Sequence, residues 1–296
     1  MTNCLAAIHN WLQHFRLPAV KVALCCIVKM ENEYIRFFVE YYRKLHFDKL
    51  FIYDNNDADG ERPEQVINDY IRESFVEVID FRGRPVAQLA AYQDCYDRYS
   101  KEYAWIAFLD CDEFLDFADG THDVHDFLRR SEFKPFHVLH INWMMFGDND
   151  VLDNDGRNVV ERFSQPVMPA DFLSQGIGRP WNDHIKSIVR GGLDDITWTS
   201  PHTPVSNTHR CCNAKGEAVE LGSPFAPFDH SIAYIRHYRT KSVGEWVRNK
   251  MSRGIPDRSE QEWKEALKLE TFFEYNRETD EKWRYARKIM EKNGQK

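Results

Sequence analysis

From Val20 to Phe117 the sequence alternates between β-prone segments and segments whose apolar residues recur at helical spacing. Three amphipathic segments separate four β-prone segments, which are VALCCIV, KLFIYD, FVEVID and WIAFLD. In the first amphipathic segment, Tyr34, Phe37, Phe38 and Tyr41 lie three or four positions apart. A series of this kind predicts an α/β fold, in which helices cover both faces of a largely parallel sheet.

Beyond Phe117 the pattern is less regular. The stretch up to about Pro227 is rich in Gly, Pro, Asn and Asp, and long irregular connections of this kind usually carry function. From Val243 onward the segments are helical and charged. Because right-handed crossovers bring the carboxyl ends of parallel strands to one edge of the sheet, polar residues at those ends are candidates for a ligand site.

Two acidic residues, Asp110 and Asp112, follow the fourth β-prone run in the segment LDCDEF. Residues i and i+2 of a strand point to the same side, so this D-x-D pair is predicted to project together while Cys111 turns into the core. Adjacent carboxylates repel unless a cation lies between them, and Mg²⁺ or Mn²⁺ prefers carboxylate oxygen while keeping sites open for phosphate. The pair therefore predicts a divalent metal site, with a solvated acidic strand end as the alternative interpretation.

The composition limits the range of functions. The chain has 296 residues, 43% of them hydrophobic, which is enough for one large core, and its net charge of −8 argues against nucleic acid as a partner. Seven cysteines without a C-x-x-C pair favour buried free thiols, and no apolar run is long enough to span a bilayer. We therefore expect a cytoplasmic protein. For the amphipathic N-terminal segment, docking onto the domain is favoured over peripheral contact with the inner face of the membrane, and for the basic C-terminal stretch a solvated helix is favoured over the same contact.

Three ordered motifs occur in the first 165 residues: VKMENEYIRFFVEYYRKLHFDKLFIYDNNDADG, AYQDCYDRYSKEYAWIAFLDCDEFL and WMMFG. Together they resemble the glycosyltransferase family 92-like group, which is related to family 2 and has the GT-A fold. The resemblance implies a Rossmann-like mixed sheet flanked by helices, with C-terminal helices. It divides the chain into an amphipathic extension over 1–19, a catalytic domain over 20–240 and a helical extension over 241–296. Within the catalytic domain, residues 20–117 are the expected nucleotide-binding half and residues 118–240 the acceptor half.

The resemblance also implies a set of donor-binding residues. The candidates for contacts with a UDP-sugar are Lys29, Glu31, Asn32, Asp54, Arg84, Gln88, Asp110, Arg239 and Lys241. Helix capping is the alternative role for Glu31 and Asn32, and a surface position is the alternative for Arg84. Arg239 and Lys241 are expected to be cationic partners of the departing diphosphate.

GT-A enzymes commonly complete the metal shell with a residue late in the chain, often a histidine. The resemblance therefore adds His237 in IRHYRTKS and His202 in SPHTP as competing ligands beside Asp110 and Asp112. A packed or surface histidine is the alternative for each. The expected cofactors are Mn²⁺ or Mg²⁺ and a UDP-sugar donor.

The acceptor side is expected near the W-x-x-F-G segment, which here is Trp143, Phe146 and Gly147. Aromatic rings offer flat apolar faces to a sugar, although Trp143 and Phe146 also suit the core of a strand end. An inverting transfer needs a carboxylate base, and the candidates are Asp148, Asp150 and Asp183. For Lys186 the sequence favours a solvated side chain over a contact with an acidic acceptor or phosphate.

These expectations combine into one hypothesis. The chain is predicted to be a metal-dependent glycosyltransferase that moves a hexose, with galactose as the family-level guess, from a nucleotide-diphosphate sugar to a hydroxyl of a glycan or lipid-linked glycan, with inversion. A metal-dependent nucleotidyltransferase and a non-catalytic sugar-binding module are the alternatives. The sequence leaves the oligomeric state open.

Overall fold

The structure is a computed structural model that describes residues 20–167, 179–253 and 258–292. The predicted helix over residues 1–19 lies outside the described residues. The strands are β1 Val22–Val28, β2 Lys49–Asp54, β3 Val76–Asp80, β4 Trp105–Phe108, β5 Glu113–Phe117, β6 Val138–Met145, β7 Ile185–Arg190, β8 Thr197–Trp198, β9 Pro204–Val205, β10 Cys211–Asn213, β11 Ala218–Val219 and β12 Ala233–His237.

The helices surround this sheet and fill the C-terminal part of the chain. They are α1 Ile35–Lys44, α2 Glu64–Arg72, α3 Gln88–Tyr99, α4 Val124–Leu128, α5 Val159–Arg162, α6 Val243–Glu245, α7 Met251–Arg253, α8 Glu260–Ala266, α9 Leu269–Phe273 and α10 Asp280–Lys292. Turns of 3₁₀ helix cover Ser131–Phe133 and Trp181–Asp183, and a π-helical turn over Trp246–Lys250 joins α6 to α7.

The parallel half of the sheet has the order β4-β1-β2-β3. Every residue of β1 is buried, as expected for a strand covered on both faces. Its alternate residues pack in two hydrophobic cores, one on each face of the sheet. Val22 and Leu24 belong to one core, and Ala23 and Cys25 belong to the other. The sequence prediction of a parallel α/β half is confirmed.

The second half of the sheet is mixed. Strand β7 lies between β4 and β6 and is antiparallel to both, while β12 pairs in parallel with β6 and antiparallel with β5. The register pairs Ala107 with Ile188, so the beginning of β7 lies beside the end of β4. This mixed extension of a Rossmann-like half is the GT-A architecture expected from the sequence.

The D-x-D segment is not part of a strand, and this corrects the prediction. The run from Trp105 to Phe117 divides into β4 and β5, with Asp110, Cys111 and Asp112 between them. The Glu113 N–H donates to the Asp110 carbonyl at 3.0 Å, and the Asp110 N–H donates to the Glu113 carboxylate at 2.8 Å. These two hydrogen bonds close a tight turn. Cys111 is buried, as predicted.

The C-terminal segment is fastened to the sheet domain by buried polar contacts. Ser242 caps α6 in a capping box with Glu245, and the Glu245 carboxylate also pairs with Arg162. Lys282 of α10 pairs with Asp148 at 2.6 Å. The six cysteines in the described ranges are free and buried, as the sequence predicted. Across these ranges, no helix combines the length and apolarity needed to cross a bilayer.

Candidate functional site

A cavity of about 160 Å³ lies at the carboxyl ends of β1 and β4. The beginning of β7, the end of β12 and the C-terminal segment complete its walls. Its basic residues are Lys29, Lys186, Arg239, Lys250, Arg253 and Arg258, and its acidic residues are Glu31, Asp110 and Asp112. Because basic residues outnumber acidic ones, the cavity is suited to an anionic ligand.

Asp110 is the first residue of the D-x-D turn, and its side chain is 33% exposed. One carboxylate oxygen accepts from Gln88 Nε2 at 2.7 Å and from the Tyr92 hydroxyl at 2.9 Å. The other accepts from Lys186 Nζ at 2.9 Å. Burial alone would lower the pKa of the Lys186 ammonium, but Asp110 and Glu113 raise that pKa above its usual value. Lys186 therefore stays charged inside the protein.

Asp112 is buried and forms an ion pair with a second lysine, Lys250. Lys250 Nζ donates to Asp112 Oδ2 at 2.6 Å, and His237 Nε2 lies 3.7 Å from Asp112 Oδ1. Burial acts to raise the pKa of the Asp112 carboxyl, but the ammonium groups of Lys250 and Lys241 outweigh burial and hold the pKa below its usual value. The two carboxylates of the D-x-D turn are thus each neutralised by a different ammonium group.

Three histidines surround the indole of Trp143, which lines the cavity. The His184 ring stacks on it at 4.7 Å, the His237 ring lies at 4.1 Å and the His202 ring at 5.2 Å. Burial lowers the pKa of His202 to about 3 and that of His237 well below its usual value. Both rings are therefore neutral at pH 7. His202 Nδ1 lies 2.9 Å from the carbonyl of Ile185, so Nδ1 carries the proton and Nε2 keeps a lone pair.

Glu31 connects the end of β1 to the C-terminal segment. Its carboxylate forms an ion pair with Arg253, and Arg253 also donates to the carbonyl of Lys29 at 3.2 Å. Lys241 lies 3.6 Å from the same carboxylate and 3.7 Å from the centre of the Tyr34 ring. The first β–α connection and the C-terminal segment therefore form one wall of the cavity.

The sequence model of glycosyltransferase family 92 matches residues 21–283. The chain belongs to glycosyltransferase family 92. A family 92 protein of Oryza sativa subsp. japonica is 28% identical over 123 residues, which are 42% of this chain and 20% of the rice protein. The chain thus spans about a fifth of that relative. The resemblance inferred from the ordered motifs is confirmed.

Solved structures similar to this family 92 chain match it at low sequence identity and with TM-scores of 0.40 or less. TarS 1-349 of S. aureus has a TM-score of 0.40 and 11% identity, with 86% of this chain and 70% of TarS covered. The same protein in complex with UDP has a TM-score of 0.36 and 12% identity, with 57% of this chain and 46% of that chain covered. The mannosyltransferase PcManGT of Pyrobaculum calidifontis, in complex with GDP-Man and Mn²⁺, has a TM-score of 0.30 and 8% identity. The match covers 47% of this chain and 43% of PcManGT.

The metal shell expected for this family 92 chain is not assembled. All four predicted ligands line the cavity: Asp110, Asp112, His202 and His237. However, within 20–167, 179–253 and 258–292, no group of three or more His, Cys, Asp or Glu side chains is placed to hold an ion. Lys186 and Lys250 occupy the positions beside the carboxylates that the sequence assigned to Mn²⁺ or Mg²⁺. As arranged, these residues do not fit a divalent metal.

Two of the predicted donor residues lie away from the cavity. Asp54 is buried at the end of β2, where it pairs with Arg82 and accepts from the Asn56 N–H at 2.9 Å. Arg84 is exposed and stacks over the Phe81 ring at 4.0 Å, which is the surface position left open by the sequence.

The other donor candidates lie at or near the cavity. Lys29, Glu31, Gln88, Asp110 and Arg239 line it, whereas Lys241 is buried behind Glu31. The side chain of Asn32 donates to the Arg62 carbonyl at 3.2 Å, and α1 has no side-chain cap. The capping alternative for Glu31 and Asn32 is therefore wrong.

The residues predicted to bind the acceptor differ most from expectation in where the structure places them. Trp143 lines the cavity, but its ring is enclosed by the three histidines. Phe146 is buried against Tyr238, with ring centres 5.1 Å apart. At Gly147 a Cβ would lie 3.2 Å from Asn276 Oδ1, so this glycine allows the C-terminal segment to pack closely. Phe146 and Gly147 are structural residues outside the cavity.

None of the three predicted bases lines the cavity. Asp148 is buried and pairs with Lys282, while exposed Asp150 pairs with Arg277 at 2.6 Å. Asp183 lies in a 3₁₀ turn and accepts from the Phe228 N–H at 3.3 Å. Their carboxylates hold the loops and the C-terminal segment in place instead.

The sequence interpretation missed Lys186, Lys250, Arg253 and Arg258 as site residues. Lys186 was expected in solvent, but its side chain is 1% exposed, because β7 inserts beside β4. The other three lie in the segment treated as a C-terminal extension. The S-x-x-E capping box at Ser242 and the basic residues of VRNKMSRGIPDR were the available signals.

Proposed function

We propose that this family 92 protein transfers a hexose from a UDP-linked donor to a hydroxyl of a glycan or glycolipid. The observation that carries the proposal is the excess of basic side chains around a cavity at the carboxyl ends of β1 and β4. Open α/β sheets bind ligands at such strand ends. A nucleotide diphosphate is an anion that would use this excess charge, and family membership supplies the sugar-transfer chemistry.

In the proposed reaction the acceptor oxygen attacks the anomeric carbon of the donor. The new carbon–oxygen bond forms as the bond from that carbon to the diphosphate oxygen breaks. The diphosphate keeps the electron pair, and the acceptor hydroxyl releases its proton to water. Fixed positive charges stabilise the negative charge that develops on the leaving group. We assign this role to Lys250, Arg253 and Arg239.

Other cavity residues receive roles that match their contacts. Asp110 is one-third exposed, so its carboxylate can accept hydrogen bonds from hydroxyl groups of the donor. Gln88 and Tyr92 hold that carboxylate in one orientation. The proposal assigns no step to Mn²⁺ or Mg²⁺, because the D-x-D carboxylates are already paired with lysines. Galactose as the sugar and inversion at the anomeric carbon are retained from the family resemblance.

Calorimetric titration with UDP, UDP-galactose, UDP-glucose, GDP-mannose and ATP tests the proposal. We expect UDP-sugars to bind and to release UDP on incubation with a hexose-terminated acceptor. Proton NMR of the anomeric position of the product then reports the stereochemistry. Release of pyrophosphate from nucleoside triphosphates would instead identify a nucleotidyltransferase, and absence of nucleotide binding would identify a sugar-binding module.

A further inference from the structure

We propose that this protein binds its donor diphosphate with lysine and arginine side chains, and that Lys250 takes the place of the divalent cation at the D-x-D turn. The inference rests on the proposed function and specifies how the same cavity holds its ligand. It concerns the contacts of Asp110 and Asp112 with Lys186 and Lys250, and the unpaired donors beside them.

The carboxylates of the D-x-D turn are already compensated. Lys186 Nζ lies 2.9 Å from Asp110 and 3.4 Å from Glu113, and its side chain is 1% exposed. Lys250 Nζ lies 2.6 Å from Asp112, whose side chain is 5% exposed. Breaking a buried ion pair to admit another cation leaves an ammonium without its partner, which is strongly unfavourable. The lysines therefore keep the two carboxylates in place without a metal.

The charge around the cavity leads to the same conclusion. Asp110 and Asp112 are paired with Lys186 and Lys250, Glu31 with Arg253, and Lys29 with Asp57 at 2.9 Å. The lining still contains Arg239 and Arg258. These remaining cations can neutralise a diphosphate. A divalent ion would add positive charge to a cavity that already carries an excess.

Unpaired donors in the wall of the cavity indicate where an anion would be held. The Nε atoms of Arg253 and Arg239 are buried and lack a hydrogen-bond partner among the described residues. Native proteins rarely leave such groups unsatisfied, so each one calls for a ligand or another explanation. Within the same ranges, Lys250 forms a single hydrogen bond, to Asp112, so its ammonium retains two donor protons. Phosphate oxygens are the acceptors that would satisfy all three side chains.

The position of Lys250 on the chain fits this role. It ends the π-helical turn Trp246–Lys250, and single π turns occur frequently at functional sites. The capping box at Ser242 and the pair between Glu245 and Arg162 fix the beginning of the same segment. Lys250 therefore lies on a segment whose position is fixed by these buried contacts.

UDP binding measured by calorimetry, once with EDTA and once with Mn²⁺, tests the inference on the full chain. We expect wild-type protein to bind UDP equally in both, and Mn²⁺ alone to give no binding heat. Lys250→Ala should weaken UDP binding about 10- to 100-fold in EDTA, the loss expected for one charged hydrogen-bond donor. The same variant should gain Mn²⁺ binding, and Mn²⁺ should restore part of its UDP affinity, because Asp112 is released.

Two further variants make the result decisive. Lys288→Ala removes an exposed lysine of α10 and should leave every titration unchanged. Lys250→Arg keeps the positive charge and should bind UDP in EDTA, which supports the inference even if Lys250→Ala does not fold. Binding of UDP to the wild type only with Mn²⁺ would overturn the inference but leave the proposed function intact. No binding of UDP in either buffer would overturn the proposed function itself.

Discussion

Arg162 and Glu245 form a two-bond ion pair inside the protein. Arg162 Nη1 donates to one carboxylate oxygen at 2.7 Å and Nη2 donates to the other at 2.8 Å, while each side chain is 1% exposed. The Tyr34 hydroxyl donates to the same carboxylate at 2.7 Å. This pair links the first helix, the connection after β6 and the segment that carries Lys250, so its integrity should determine whether the cavity exists.

Glu245→Gln should therefore destabilise the protein strongly. The glutamine keeps the volume but leaves the Arg162 guanidinium buried without a counter-charge, and removing one partner of a buried pair costs about 3–5 kcal/mol. Urea unfolding followed by fluorescence measures the loss. As a control, Asp155→Asn breaks the exposed pair with Arg157 and should leave the unfolding midpoint unchanged. Equal midpoints for Glu245→Gln and wild type would contradict the prediction.

Asp110→Asn should impair both donor turnover and stability. The substitution keeps the side-chain shape but leaves the buried Lys186 ammonium with Glu113 as its remaining carboxylate partner, at a cost of about 1.5–3 kcal/mol. The carboxylate assigned to the donor hydroxyls is lost as well, so kcat/KM for the UDP-sugar should fall together with stability.

A double-mutant cycle with Lys186→Met checks the reason for that loss. If the two residues stabilise each other, the double variant should be more stable than the sum of the single effects by about 0.5–3 kcal/mol. Lys186→Met should not restore turnover, because the donor still lacks its carboxylate partner. Strict additivity of the two stability changes would show that Lys186 and Asp110 are not coupled.

The sequence predicted the parallel half of the sheet and the place of the D-x-D pair at its edge, because both depend on local patterns, although the pair lies in a turn and not in a strand. The continuous apolar run of β1 and the helical spacing from Tyr34 are visible within a few residues. The partners of the turn are not visible in this way. Lys250 is 138 positions away from Asp112, and the contact exists only because the C-terminal segment folds back over the cavity.

The same reason accounts for single residues whose surroundings differ from those expected from the sequence. Asp54 is the last residue of a strand, as a nucleoside-binding residue could be, but Arg82 reaches it from the connection after β3. Asp148 follows the W-x-x-F-G segment, but Lys282 of the last helix covers it. A carboxylate at a strand end is equally suited to a ligand or to a distant basic side chain, and only the tertiary structure distinguishes the two.

His140 should make stability depend on pH. Burial lowers the pKa of this ring from 6.5 to about 3, so the folded protein resists a proton that the unfolded chain accepts. The resulting stability is complete above pH 6.5 and is lost as the pH falls toward about 3. The contribution is about 1.4 kcal/mol per pH unit inside that window.

Chemical denaturation of wild type and His140→Gln at several pH values between 4 and 7 measures this contribution. Other groups titrate in both proteins, so the difference in free energy of unfolding isolates His140. The curve of the variant should be flatter than that of the wild type by about 1.4 kcal/mol per pH unit. Parallel curves would show that His140 becomes protonated equally in the folded and unfolded states.

Gly244→Ala should destabilise the protein even though alanine is the better helix former. A Cβ on Gly244, in α6, would lie 2.8 Å from Asp153 Oδ1, and that carboxylate is fixed by Arg248 and by the Tyr285 hydroxyl at 2.6 Å. The overlap costs about 1–3 kcal/mol, which exceeds the gain of about 1 kcal/mol from helix propensity. In an Asp153→Ala background the obstructing carboxylate is gone, so the same substitution should stabilise instead. Thermal unfolding of the four proteins measures the sign in each background, and a stabilising Gly244→Ala in the presence of Asp153 would show that the two elements are not packed this closely.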